Sequence, residues 1–253
     1  MRGHDLKLAW ANHQFEVFEG QRDAWRAGGG YGVVFEPQPN SPEQIIRLHA
    51  EDTPDVFALV IGDALHAMRS GLDHLAYALS EVLSDALDPE VAERIEFPIF
   101  GDRSMTSIER ERKIGAMHPD AAAVIEGLQP HLREEDYADD PLWVLYDLAR
   151  IDRHRLLHLT VAQLESVGVG GNNLYVESMT FGHIGPDAVH GAELGRCIVR
   201  PANAGLPMHM NLTTEPQIIF KEGPRVGRPV LDELRAVHAH ISEAVIPPLE
   251  GFL

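Results

Sequence analysis

This sequence has very little cysteine, a shortage of basic side chains and no long hydrophobic run. Its 253 residues include a single cysteine, Cys197, which excludes a disulfide within the chain and any metal site built from several thiolates. No stretch approaches the ~18 consecutive apolar residues of a membrane-spanning helix. Residues 1–10 also lack the apolar core of a signal peptide. We therefore expect a cytoplasmic protein with no membrane partner.

The shortage of basic residues limits the classes of ligand. The 21 Lys and Arg residues face 39 Asp and Glu residues, which gives a formal net charge of -18. This charge repels phosphate backbones at long range, so binding of nucleic acid requires a local basic patch. Hydrophobic residues at 44% and charged residues at 24% are typical of a compact globular protein. The length suits a single domain over residues 1–253.

The hydrophobic pattern predicts an α+β fold with a helical bundle core and a small inserted antiparallel β-sheet. Short β-branched runs interrupted by Gly, Pro and Asn predict β-rich parts at residues 31–49 and 160–228. The charged run Glu109 to Lys113 predicts a loop or a short exposed helix. Apolar residues at helical spacing predict that the bundle is built mainly from residues 6–25, 54–85, 119–159 and 229–247.

The predicted helix that begins at Pro54 contains a stretch, Leu59 to Ser80, without Lys or Glu. Solvated helix faces are usually rich in these two residues, so the polar side chains of this stretch indicate a site. At ~100° per residue the apolar face comprises Leu65, Met68, Leu72, Leu75 and Leu79. The opposite face comprises Asp63, His66, Ser70, Asp73, His74 and Tyr77, with Arg69 at its border. A seam of small residues, Ala64, Ala67, Gly71 and Ala78, would let another helix approach closely.

A second polar helix is predicted from Pro141 to about Leu159. On it Asp147, His154 and His158 follow one another at seven and four residues and share a face. A charge inside a helical bundle costs several kcal/mol unless it is paired, so the polar row of the first helix needs partners such as these. Two interpretations of these polar faces stay open. They form salt bridges that join the helices and have no catalytic role, or they form a functional site.

The segment MRSGLDHL, residues 68–75, resembles the R-x4-6-H motif of the HEPN superfamily, whose helical bundles include many metal-independent ribonucleases. Here Arg69 and His74 have the spacing R-x4-H, and Ser70 fits the polar residue that commonly follows the arginine. The resemblance implies that His74 assists proton transfer at the ribose 2′-hydroxyl or the leaving oxygen, while Arg69 stabilises the phosphorane charge. Asp73 completes the predicted catalytic set. The resemblance further implies a homodimer, RNA or a nucleotide as ligand, and no cofactor.

Longer parts of the chain are similar to a widespread group of bacterial proteins. That group has a long GDALHxxRSxLDHLA helix, a short FPIF segment and a later IDRHRLLHL helix, which correspond here to residues 62–76, 97–100 and 151–159. This similarity predicts the order of these segments along the chain. It does not indicate an activity. A second R-x4-H, Arg153 to His158, falls within the last of these segments.

A metal-dependent hydrolase is the alternative prediction. Imidazoles and carboxylates on adjacent helices bind divalent metals such as Zn, Mn or Fe, and a bound metal would activate water. The spacing of these residues matches neither HExxH nor a paired ExxH pattern. A noncatalytic binding or interaction protein is the third possibility. The candidate metal ligands are His66, Asp147, His154 and His158.

Overall fold

The computed structural model describes residues 2–83, 87–182 and 190–253 and confirms the α+β class. A 3₁₀ segment, Pro130–Asp139, precedes the helix that begins at Pro141, and a π turn, Ile241–Val245, follows the helix that ends at His240. In chain order the described helices and strands are α1 (Gly3–Ala27), β1 (Tyr31–Pro37), β2 (Glu43–Ala50), α2 (Asp55–Glu81), α3 (Pro89–Ala92), α4 (Ser107–Ile114), α5 (Pro119–Gly127), α6 (Pro141–Asp152), β3 (Leu159–Asn172), β4 (Leu174–Phe181), β5 (Glu193–Pro201), β6 (His209–Phe220) and α7 (Val230–His240).

The backbone divides into two compact units. The helical unit comprises Met1–Phe18, Ala58–Leu157 and Leu231–Leu253, and the β unit comprises Glu19–Phe57 and His158–Val230. Helices α1 and α2 contribute residues to both units. The single domain predicted for residues 1–253 stays a prediction. In the part of the chain that the structure describes, no helix has both the length and the apolar character needed to cross a membrane.

The core of the helical unit forms around α2. The five residues of its predicted apolar face are each at most 1% exposed, which confirms the predicted amphipathic pattern. The predicted small-residue seam is also in use at Gly71. A Cβ added there would lie 3.4 Å from Lys7 Cβ and 3.6 Å from the His4 carbonyl oxygen. Helix α1 therefore packs against α2 at a distance that only a small residue allows.

Side-chain caps fix the starts of α4 and α6. Asp140 is buried and accepts a hydrogen bond from the Leu142 backbone N–H at 2.9 Å, and its other carboxylate oxygen lies 2.7 Å from Arg133 Nε. Pro141 occupies the first turn of α6, where its missing N–H is not needed. At α4 a capping box joins Thr106 and Glu109. Both helices contribute to the cavity described below, so these caps help to position it.

The β unit contains an antiparallel sheet whose strands come from two separate parts of the chain. Strands β1 and β2 lie in the first predicted β-rich part and form a hairpin in which Tyr31 is opposite Ala50. This hairpin joins the later strands in one sheet of order β1-β2-β5-β4, while β3 and β6 pair with one another in a separate ribbon. Ile46 and Cys197 are nearly fully buried. Burial, with Glu43 nearby, raises the pKa of the Cys197 thiol, which disfavours a nucleophilic thiolate there.

The predicted extension of the second polar helix to Leu159 is wrong. Helix α6 ends at Asp152, and Arg153 is its C-terminal cap. The backbone enters β3 at Leu159, which pairs with Phe220, and the His158 carbonyl accepts a hydrogen bond from Lys221 N–H. Pairing between strands distant in sequence therefore overrides local helix propensity here. Neither His154 nor His158 lies on α6.

Candidate functional site

A cavity of about 600 Å³ lies in the helical unit. Its walls come from α2, from the segment between α3 and α4, from α4 and from α6. We call it the Arg69 cavity. The α2 wall consists of His66, Arg69 and Asp73, which lie at three and four residues and so share one helix face. The α6 wall consists of Trp143, Tyr146, Ala149 and Asp152, followed by Arg153. The other lining residues are Glu96, Phe97, Ile99, Phe100, Asp102, Arg103, Glu109, Arg112 and Lys113.

The Arg69 guanidinium is held on one side only. Its Nη2 donates a hydrogen bond to Asp73 Oδ1 at 3.0 Å, one helical turn further along α2. The same carboxylate oxygen accepts a hydrogen bond from the Phe97 backbone N–H, also at 3.0 Å. Nη1 is buried and has no hydrogen-bond partner among the described residues. Asp73 thus fixes the guanidinium and the adjacent loop, and leaves one donor of Arg69 unused.

The positive charges of the Arg69 cavity lie close enough to affect one another. Burial lowers the pKa of Arg69, and Arg153 lowers it further, while Asp73 opposes the change. Burial and the nearby Arg69 likewise lower the pKa of Lys113, which forms an ion pair with Glu96. Like charges held together in a partly buried site are unfavourable in the absence of an anion. Asp73 and Glu96 offset part of this repulsion, and Nη1 of Arg69 has no hydrogen-bond partner among the described residues.

A third ion pair joins two residues that line the cavity, Arg103 and Glu109. Arg103 donates hydrogen bonds from both terminal nitrogens to Glu109, at 2.9 and 2.7 Å. This contact and the hydrogen bonds from Thr106 lower the pKa of Glu109 to about 2. The Arg103 guanidinium also lies over the Phe100 ring at 4.8 Å. Glu109 is therefore a fixed carboxylate that neutralises Arg103 and has no free capacity as a proton carrier near neutral pH.

One imidazole lines the cavity, and it comes from His66. On α6 the neighbouring Asp152 lies against α2 at Gly62, where a Cβ would be 2.6 Å from Asp152 Oδ2. Burial raises the pKa of Asp152, Asp63 raises it further, and His66 lowers it. His66 and Arg69 thus lie one helical turn apart on the same wall, with a carboxylate beside the imidazole. An imidazole next to a guanidinium can support proton transfer at a bound phosphate ester.

The aromatic residues of α6 are the part of the site that the sequence analysis missed. Trp143 and Tyr146 stack with ring centroids 5.1 Å apart and an interplanar angle of 28°. Both line the Arg69 cavity. The signal was present in the sequence, because residues 143, 146, 149 and 153 follow one another at the three- and four-residue spacing of one helix face.

The structure brings together only some of the predicted catalytic residues. Arg69 and Asp73 line the cavity, but Ser70 is half-buried outside its lining and His74 is exposed on another side of α2. The His74 ring lies beside the start of α1, where a Cβ at Gly3 would be 2.6 Å from His74 Nδ1. Within one chain, therefore, the two residues of the R-x4-H motif do not share a cavity.

The predicted metal ligands lie in different surroundings. Asp147 pairs with Arg150 at 2.5 Å, His154 follows the end of α6, and His158 Nδ1 lies 3.3 Å from Glu222 in the β unit. His66 lines the Arg69 cavity. Across the described ranges, no three His, Cys, Asp or Glu side chains are grouped in a way that could hold a metal ion. The geometry therefore gives no support to the metal-dependent alternative.

Comparison with known proteins gives no assignment. No protein-family model, curated protein or solved structure matches this chain. The function is therefore argued from the chemistry of the Arg69 cavity.

Proposed function

We propose that this protein binds the phosphoryl group of a nucleotide or of RNA in the Arg69 cavity. The observation that carries the proposal is the buried Nη1 of Arg69, which has no hydrogen-bond partner among the described residues although Nη2 of the same group is anchored on Asp73. A guanidinium presents its donors in a planar array that matches phosphate oxygens. A phosphoryl oxygen at Nη1 would satisfy the donor whose burial is otherwise costly.

The charges around Arg69 support an anionic ligand. Three lining carboxylates, on Asp73, Glu96 and Glu109, are already paired with cations of the same cavity. Arg112 and Arg153 line the cavity as well, and neither has a carboxylate partner in the described parts of the chain. Asp102 and Asp152 also line the cavity, so its cations and carboxylates are equal in number. Attraction of a phosphate therefore depends on the positions of Arg69, Arg112 and Arg153 and not on an excess of positive charge.

Calorimetric titration with ribose 5-phosphate tests the proposal. Arg69→Ala should weaken binding by about tenfold or more, because a hydrogen bond to a charged group contributes about 1.5–3 kcal/mol. Arg69→Lys should also weaken it, because an ammonium group lacks the planar pair of donors. Arg150→Ala is the matched control, since Arg150 pairs with Asp147 and does not line the cavity. Unchanged affinity in Arg69→Ala would refute phosphoryl binding at this position.

A metal-independent endoribonuclease is the second candidate function, and the shared wall of His66 and Arg69 favours it. In the proposed step the ribose 2′-oxygen bonds to phosphorus, the P–O5′ bond breaks, and a 2′,3′-cyclic phosphate and a 5′-hydroxyl result. His66 takes the 2′-hydroxyl proton, Arg69 stabilises the phosphorane, and water protonates the leaving oxygen. The HEPN-type alternative uses His74 instead. Because His74 lies outside the cavity, that alternative requires a second copy of the chain to bring its own motif near.

RNA cleavage by three variants separates these alternatives. If His66 acts, His66→Ala and Arg69→Ala lose cleavage while His74→Ala keeps it, and a chelator has no effect. If His74 acts across a homodimer, His74→Ala loses cleavage and sedimentation gives a dimer mass. Cleavage at the parent rate in all three variants would mean that none of these residues catalyses it, and would refute an endoribonuclease site in this cavity.

A further inference from the structure

Two rings on α6 stack on one another in a cavity that is otherwise lined mostly by charged side chains. The Trp143 and Tyr146 centroids are 5.1 Å apart, and the Tyr137 ring meets Trp143 edge-on at 5.3 Å and 76°. Trp143 and Tyr146 are both half-buried, so they are neither core residues nor freely exposed ones. Aromatic rings placed in this way are suited to stacking with another planar ring.

The Trp143 ring is held rigidly in place. A Cβ added at Gly101 would lie 2.4 Å from Trp143 Cε3 and 2.6 Å from Tyr137 Cδ2, so the loop backbone packs directly against these rings. The N-terminal cap by Asp140 fixes the first turn of α6, which carries the indole. A rigid ring loses little conformational entropy when a ligand binds, which favours recognition of a flat partner.

The aromatic rings lie next to the proposed phosphoryl site. Tyr146 on α6 and Arg69 on α2 line the same cavity. Arg153 follows Tyr146 by seven residues, which is about 10 Å along a helix axis at 1.5 Å per residue. The cavity therefore offers a stacking surface at one end of the α6 wall and a cation at the other, with Arg69 opposite on α2.

We propose that Trp143 and Tyr146 form a nucleobase subsite, so that the nucleotide or RNA of the Arg69 cavity is held by a base as well as by its phosphoryl group. This inference rests on the proposed phosphoryl binding and adds the contact that the protein makes with the nucleobase of the ligand. A base stacks on the α6 rings while its phosphoryl group meets Arg69. Stacking depends on the π-face that every base has, so the subsite selects for the presence of a base rather than for its identity.

Parallel titrations with adenosine 5′-monophosphate and ribose 5-phosphate test the subsite. The parent protein should bind the nucleotide on the order of tenfold to a hundredfold more tightly, the range expected for stacking of one base. Trp143→Leu and Tyr146→Leu should each lower the ratio of the affinity for adenosine 5′-monophosphate to the affinity for ribose 5-phosphate toward one. Trp10→Leu is the matched control, because Trp10 is exposed on α1 and does not line the cavity.

The outcomes distinguish this inference from the phosphoryl proposal. Equal affinities for the two ligands in the parent would overturn the base subsite and leave phosphoryl binding intact. An advantage that persists in both leucine variants would also overturn it. Failure of both ligands to bind would contradict the proposed function and the subsite together. Trp143→Phe keeps a smaller ring and should give an intermediate preference for adenosine 5′-monophosphate over ribose 5-phosphate. Binding of ribose 5-phosphate by each variant shows that its cavity is folded.

Discussion

Arg69 carries two terminal nitrogens in different environments, and this difference is the clearest functional feature at the scale of single residues. Nη2 donates a hydrogen bond to Asp73, which also accepts one from the Phe97 backbone N–H. Nη1 is buried and has no hydrogen-bond partner in the described part of the structure. His4 is a comparable case elsewhere in the helical unit. It is 2% exposed, and its Nδ1 has no hydrogen-bond partner among the described residues.

His4 predicts a dependence of stability on pH. Burial lowers the pKa of His4 below the ordinary value of 6.5; Arg2 and His74 also lower it, while Asp5 and Glu250 oppose the change. The unfolded chain therefore binds a proton at a pH where the folded chain does not. The contribution of His4 to stability is full above a pH of about 6.5 and is lost as the pH falls below it, through the lower pKa of His4 in the folded chain.

Chemical denaturation at a series of pH values measures this effect. The free energy of unfolding of the parent should fall as the pH drops below about 6.5. His4→Gln should show a shallower fall, and His13→Gln, an exposed change on the same helix, is the matched control. The same slope in His4→Gln and the parent would mean that His4 is not the residue responsible.

At the scale of elements, α6 determines the character of the cavity. It supplies the stacked rings and Asp152, and the buried Asp140 caps it.

Asp140→Ala should lower the free energy of unfolding by about 1–2 kcal/mol, since it removes a helix cap and leaves Arg133 without its carboxylate. Thermal or urea denaturation measures the loss. Asp88→Ala at the four-residue α3 is the control and should cost less, because α3 buries none of its residues. Equal losses in the two variants would contradict the role of the α6 cap.

The same element shows how far the sequence could predict the structure. The apolar face of α2 was predictable because periodicity is a local property. For the same reason the sequence could indicate that Arg69 and Asp73 lie on one side of the helix, and both line the Arg69 cavity. His154 and His158 were misplaced because the pairing of β3 with β6 is not visible in local spacing. Trp143 was missed because a half-buried aromatic residue at helical spacing looks like a core residue until its neighbours are known.

Helix α4 illustrates the second limit. The charged run Glu109 to Lys113 predicted an exposed segment, and local composition could not indicate that Lys113 faces Arg69 from a different helix. Capping could be predicted, because Thr106 and Glu109 have the spacing of a capping box. The environment of a charge, in contrast, depends on which elements pack around it, and this information is distributed over the whole chain.

At the scale of the whole molecule, the net charge of -18 opposes the local cations of the Arg69 cavity. The overall field should slow the approach of an anionic ligand, and salt should screen this repulsion. We therefore expect the association rate constant for adenosine 5′-monophosphate to rise as ionic strength increases from about 10 mM, where the Debye length is about 30 Å, to about 100 mM. Stopped-flow mixing measures it, and uncharged adenosine is the control ligand. A falling rate constant would mean that the local cations dominate the field.

The interleaved order of the β-sheet has a consequence for biosynthesis. Glu43 of β2 pairs with Ile198 of β5, so the early hairpin waits for a neighbour that the ribosome produces much later. Until then the inner edge of β2 presents unsatisfied backbone groups that can capture strands of other nascent chains. Slow translation between these two strands would lengthen that exposure, and the yield of native protein would then depend on elongation speed and on chaperones that shield the hairpin.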